Sequence, residues 1–134
     1  MPFVKIHVLE GRYDEARLDR VSNAIQQTLR AELGTSPDEL FHIIHLLQPV
    51  QFRHTGSFGL NYSEDLIWLE LTLITGRLAK DKRLGLLKAL NDRIVDAAHI
   101  SPDDLLITFF ETAEENISFG RGFAQRADNS QSYS

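Results

Sequence analysis

The sequence predicts an α+β fold in which two β-α-β units form one mixed four-stranded sheet with two helices on one face. Three observations carry that prediction. The chain repeats itself without a gap, so that "SPDEL" at 36–40 returns sixty-five positions later as "SPDDL" at 101–105. Each half holds two short, apolar, β-rich runs. Between each pair of runs lies a longer segment with apolar residues at helical spacing and charges between them.

The elements follow in chain order. Phe3–Leu9 alternates as a strand, and "VLEGR" ending at Arg12 turns the chain. Residues 17–33 form the first amphipathic helix, Gly34 suits its C-cap, and Pro37 stops any continuation. "LFHIIHLL" then reads as a buried strand. The second half repeats this with "WLELTLI" at 68–74, "LITGR" ending at Arg77, a helix over 80–98, Pro102, and "LLITFF". Leu18, Val21, Ala24, Ile25 and Leu29 fall opposite Arg83, Leu86, Ala89, Leu90 and Ile94, and only the first pair breaks apolar character. One domain over 1–126 is expected, with halves at about 1–47 and 66–112 and a connector over 48–65. A polar, mobile tail is expected over 127–134. Two helices cannot cover both faces of the sheet, so the open face calls for a closed symmetric oligomer.

Composition narrows the function classes. Of 134 residues, 43% are hydrophobic and 25% charged, with a formal charge of -5, which offers no footprint for nucleic acid or an anionic membrane. There is no cysteine, hence no thiol nucleophile, disulfide or zinc-thiolate site. No signal-peptide pattern or bilayer-length apolar run is present, which makes the cytoplasm the expected compartment.

Pro2 stands directly behind the initiator methionine. Position alone makes it a strand start, where a missing N–H costs little. Loss of Met1 would turn its nitrogen into a free secondary amine. In a parallel pair the strand starts share one edge, so Asp38 and Glu39 fall at the edge where Pro2 begins. If the halves are related by a pseudo-two-fold axis, the third strand ends beside the start of the first, and Arg77 arrives at the same edge. Arg12 is about ten residues away at roughly 3.3 Å each. It belongs to the mirror position beside Ile67, paired with Asp103 or Asp104. An amine near a cation in a partly apolar pocket has its charged form disfavoured twice over, which suits a general base. Arginine can grip a carboxylate with two parallel hydrogen bonds and steady an enolate. The set suits proton transfer beside the carbonyl of a small oxo acid.

These residues resemble the tautomerase superfamily, and within it the malonate semialdehyde decarboxylase group. The likeness runs from "MPFVKIHVLEGR" through "SPDELF" and "TGRLAKDKRLGLLKAL" to "SPDDLLITFFETAEENISFGRG". It implies a homotrimer, no metal or organic cofactor, catalysis by Pro2 once Met1 is lost, and a segment after "SFGRG" that closes or builds a neighbour's site. Decarboxylases of this group carry two arginines spaced R-x-R after the third strand, whereas "TGRLAK" offers only Arg77. The group's catalytic aspartate aligns with Glu39 when Phe41 is the anchor, or with Asp38 when the count runs from the chain start. Ile117 stands where an aromatic residue usually precedes "SFGRG".

The reaction expected is keto–enol tautomerisation of a 2-oxo or 3-oxo acid. The alternatives are a decarboxylase or hydratase built on the same amine, and a non-catalytic oligomeric binding protein. His42, near the start of the second strand, is a candidate substrate contact. Phe119, Arg121 and Phe123 are candidates too, against packing roles for the aromatics and a subunit-interface role for the arginine. His42, His45 and His54 do not make a metal site, because residues three apart on a strand point to opposite faces. "FGRGF" lacks the strand–loop–helix context of a phosphate cradle.

Overall fold

The computed structural model of the chain describes residues 2–127. Met1 and residues 128–134 lie outside them, and with these the expectation of a mobile tail beyond Ala127. The elements run β1 (Phe3–Leu9), α1 (Glu15–Leu33), β2 (His42–Leu47), β3 (Ile67–Ile74), α2 (Lys80–Ala98) and β4 (Leu105–Thr112). Short 3-10 turns lie over Pro102–Asp104 and Glu114–Asn116. The sheet order is β2-β1-β3-β4, with β1/β2 and β3/β4 parallel and β1/β3 antiparallel. This is the mixed sheet of two β-α-β units.

Local signals explain the boundaries. Helix α1 starts two residues before the periodic run because the Asp14 carboxylate accepts the Arg17 N–H at 2.8 Å. It stops at Gly34, whose φ of 67° is left-handed and costs glycine little. The repeat is imperfect at these same places. Ala79 stands where Asp14 stands in the first half, so α2 begins without a side-chain cap. His99 replaces the capping glycine.

One face of the sheet holds the core. Val4, Ile6 and Val8 of β1 and Ile67, Leu69 and Leu71 of β3 are closed off by Val21, Ile25 and Leu29 of α1 and Leu86, Leu90 and Ile94 of α2. The other face is partly bare, with Ile43 52% and Phe110 51% exposed. At its middle, His7 Nε2 and Glu70 Oε2 are hydrogen-bonded at 2.6 Å, and His45 Nδ1 meets His7 Nδ1 at 3.0 Å.

His42 lies on the helix side of β2, since it pairs with the core residue Val4 while His45 pairs with His7 on the open side. Its Nδ1 is 2.6 Å from Ser22 Oγ on α1, and its Nε2 is buried without a hydrogen-bond partner among the described residues. Burial pushes its pKa below the ordinary value. The unfolded chain therefore binds the extra proton first as acid is added. Stability tied to this group is full above about pH 6.5 and is lost as pH falls toward the lowered folded value. His42→Leu should cost about 1 kcal/mol near neutrality through the lost Ser22 bond. It should also flatten the acid limb, as read from urea midpoints at pH 7.5 and 5.5.

Candidate active site

The end of the sheet where β1 starts and β3 stops carries a cleft of about 510 Å³. Its walls come from the end of α1 at Gly34–Ser36, the end of β3 at Leu73 and Ile74, and the start of α2 at Leu78 and Lys82. Glu32, Glu39, Arg77 and Arg126 supply the remaining charge. Pro2 is buried in phase with Val4, on the helix side of β1. Continuing the pairing of Phe3 with Thr72 sets Pro2 opposite Leu73 on the cleft wall. On the other flank, the pairing of Val4 with His42 sets it opposite Leu40, one residue from Glu39.

A turn chooses between the two carboxylates. The Glu39 N–H donates to the Ser36 carbonyl at 3.1 Å, and the Asp38 N–H donates to Ser36 Oγ at 3.3 Å. Asp38 thus occupies the tip of the turn and stays outside the cleft, whereas Glu39 leads into β2 and lines it. Gln26 of α1 clamps this spot by donating to the Glu39 carbonyl at 2.7 Å. The Glu39 carboxylate accepts from Arg126 Nη2 at 2.6 Å. The Glu39 carboxyl is held below its usual range despite partial desolvation, with the Arg126 pair among the causes.

Arg77 follows Gly76, whose φ of 78° lets the chain turn out of β3. Its guanidinium donates to Glu114 Oε1 but remains 63% exposed. Lys82 adds a third positive group to the cleft. Sequence reasoning missed Glu114 and Arg126, because neither belongs to a repeat or a motif.

The other expected contacts lie elsewhere. His42 faces Ser22, off the cleft lining. Phe119 packs with Phe3 at a ring separation of 5.7 Å and with Phe41 at 5.6 Å, and those two rings lie 5.4 Å apart. Neither Arg121 nor Phe123 lines the cleft, and Arg121 sits in a left-handed turn at φ 60°. The aromatic cluster anchors the final segment. Gln125 then bridges the Phe119 N–H and the Gly120 carbonyl, each at 2.9 Å, and turns the chain back toward Glu39.

At the mirror position the repeat holds a different arrangement. Asp104 takes the place of Glu39 but is only 4% exposed, accepting from the Ser63 N–H at 2.7 Å and Ser63 Oγ at 2.6 Å. Arg12 takes the place of Arg77. It pairs with Asp65 at 2.8 Å and Glu64 at 3.6 Å, correcting the expected partners Asp103 and Asp104. The reason is the connector, which lies against this end and presents its own acids to Arg12 while the two aspartates accept its backbone N–H groups. The connector fills the mirror cleft.

The family profile described as "Tautomerase enzyme" matches residues 39–120, more than half of the chain. The chain belongs to the tautomerase family. This tautomerase is 29% identical over 126 residues to "Probable tautomerase YusQ" of Bacillus subtilis (strain 168), spanning 93% of this chain and 98% of that relative. Its fold matches a solved malonate semialdehyde decarboxylase with a TM-score of 0.81 at 20% identity, over 92% and 94% of the two chains. The FG41 malonate semialdehyde decarboxylase inhibited by 3-bromopropiolate gives 0.82 at 17% identity, over 98% and 99%. A fused 4-OT solved as a symmetric trimer gives 0.75 at 15%, over 93% and 97%. These likenesses establish the fold, and the family match makes the chain a tautomerase-superfamily enzyme.

Proposed function

We propose that this tautomerase, with Met1 removed, uses the Pro2 amine to move a proton beside the carbonyl of a small oxo acid. The observation that carries the reading is the pairing of one open cleft, holding Arg77 and Glu39 at the Pro2 end, with one filled cleft at the mirror end. Arg77 takes the substrate carboxylate in two parallel hydrogen bonds. In the keto-to-enol direction the neutral amine accepts a proton from the carbon next to the carbonyl. The released electron pair moves onto the carbonyl oxygen, and a proton returned to that oxygen completes the enol. Lys82 and Arg77 stabilise the enolate charge between these steps. Glu39 orients the amine and, as a carboxylate, relays the proton held by the Pro2 ammonium to the enolate oxygen, and Asp38 has no part in the reaction.

No metal or organic cofactor enters this scheme. The bare sheet face, with Ile43 and Phe110 exposed, supports a homotrimer, and the fused 4-OT trimer shares the fold. The malonate semialdehyde decarboxylases of like fold support a second reading, decarboxylation or hydration of a 3-oxo acid with Pro2 protonated.

Intact mass of the native protein and conversion of phenylenolpyruvate test the first reading together. The expected result is a chain lighter by one methionine that ketonises the enol. A chain that keeps Met1 has an amide at Pro2, and the proline chemistry is then excluded. A nitrogen-15 titration of the Pro2 amine separates the two readings. A mostly neutral amine at working pH supports tautomerisation, and a protonated one supports decarboxylation or hydration.

A further inference from the structure

The mirror cleft suggests what Arg126 does in the open one. At the mirror end the acidic residue is locked permanently, since Asp104 is 4% exposed and holds two donors of Ser63. At the open end Glu39 occupies the corresponding position, and the group across from it is a long side chain from the final segment. The Arg126 and Glu39 side chains are 40% and 32% exposed. An ion pair that wet contributes little net energy and exchanges at low cost. The Arg126 guanidinium also lies 5.9 Å from the Phe119 ring centre, where the aromatic face supports it with or without Glu39. Phe119 itself is fixed by Phe3 and Phe41, so the arm that delivers Arg126 is anchored at its base.

The cleft walls carry Arg77, Lys82 and Arg126 against Glu32 and Glu39, which leaves more positive than negative groups for an incoming anion. Arg77, paired with Glu114, and Arg126, paired with Glu39, both sit in exposed ion pairs that an incoming carboxylate can open, so the two can share its grip. A carboxylate entering this space finds in Arg126 a planar fork of donors held by one acid, and it can offer two oxygens where Glu39 Oε1 offers one.

We infer that Arg126 is an exchangeable latch on the cleft: it holds Glu39 when the site is empty and transfers to the anionic group of the substrate when the site fills. The inference rests on the cleft being the active site and extends that reading to the final segment. Arg126 is then a substrate-binding residue whose transfer makes carboxylate binding and release of Glu39 one event. The latch favours substrates with an anionic group over neutral carbonyl compounds. It also keeps Glu39 neutralised in the resting protein.

Calorimetric binding of malonate, used as a non-reacting carboxylate probe, to the full chain at low salt tests this. Arg126→Gln should weaken malonate about tenfold or more, and Arg126→Lys should recover part of the loss. Glu39→Gln should strengthen malonate severalfold, because the ligand no longer competes for the guanidinium. In the Glu39→Gln, Arg126→Gln double variant that gain should vanish, leaving affinity at the Arg126→Gln level. A merely structural Arg126 would give additive effects, with any gain from removing the Glu39 charge kept in the double variant. Wild-type affinity in Arg126→Gln, a gain that survives in the double variant, or no malonate binding to the wild type would each overturn the latch. Binding is read without turnover, so an active Pro2→Ala protein would remove the proline chemistry and leave this result standing.

Discussion

Pro2→Ala should slow enol–keto conversion of phenylenolpyruvate by about a hundredfold or more, because a positioned proton-transfer group typically contributes 10²–10⁴. The substitution leaves an amine at the terminus, so the loss comes from geometry and basicity together. Proline fixes φ near −65° and aims its nitrogen, whereas an alanine terminus rotates freely. The Pro2 ring is buried in line with Val4, beside the cleft-wall residue Leu73, and its loss leaves a gap there. The fold should survive, since Pro2 precedes β1 and gives no N–H to the sheet. Steady-state kinetics, with circular dichroism and the oligomeric state as controls, check this. Full activity in a well-folded variant would exclude the proline as the base.

Arg77→Ala should lower kcat/KM about a hundredfold for a carboxylate substrate while hardly moving the unfolding midpoint. Two properties of Arg77 separate these outcomes. Its guanidinium is 63% exposed and its pair with Glu114 is a surface pair, worth about 0–1 kcal/mol to the fold. In the proposed reaction the same group grips the carboxylate and faces the developing enolate, where a single donor can be worth 10²–10³ in rate. Arg77→Lys should fall between, keeping the charge but losing the two-point grip. Unchanged kinetics in Arg77→Ala would refute the role.

The fold was legible because its information is local and occurs twice. The apolar spacing of Val21, Ile25 and Leu29 recurs in Leu86, Leu90 and Ile94, and all six are buried between helix and sheet. The antiparallel meeting of the halves followed from the repeat, and it brought Arg77 to the Pro2 end. What stayed hidden depends on contacts between distant positions. Arg126 and Glu39 are 87 residues apart, and no periodicity links a tail arginine to a turn. Anchoring on Phe41 pointed to Glu39 and counting from the chain start to Asp38; the Ser36–Glu39 turn puts Asp38 at its tip and Glu39 on the cleft lining. Arg12 was misassigned because the connector carries no pattern, yet it brings Asp65 and Glu64 within reach. His42 looked like a substrate contact from its place at a strand start. The side of the strand turns it toward Ser22, off the cleft lining.

The strand of chain joining the halves does more than span a distance. By settling onto Ser63–Asp104 and Asp65–Arg12, it turns what duplication made equal into a working end and a retired end. Under the proposed function each chain offers the oxo acid one port, and ligand is expected to saturate at one equivalent per chain. The retired end is free to accumulate substitutions that favour rigidity alone.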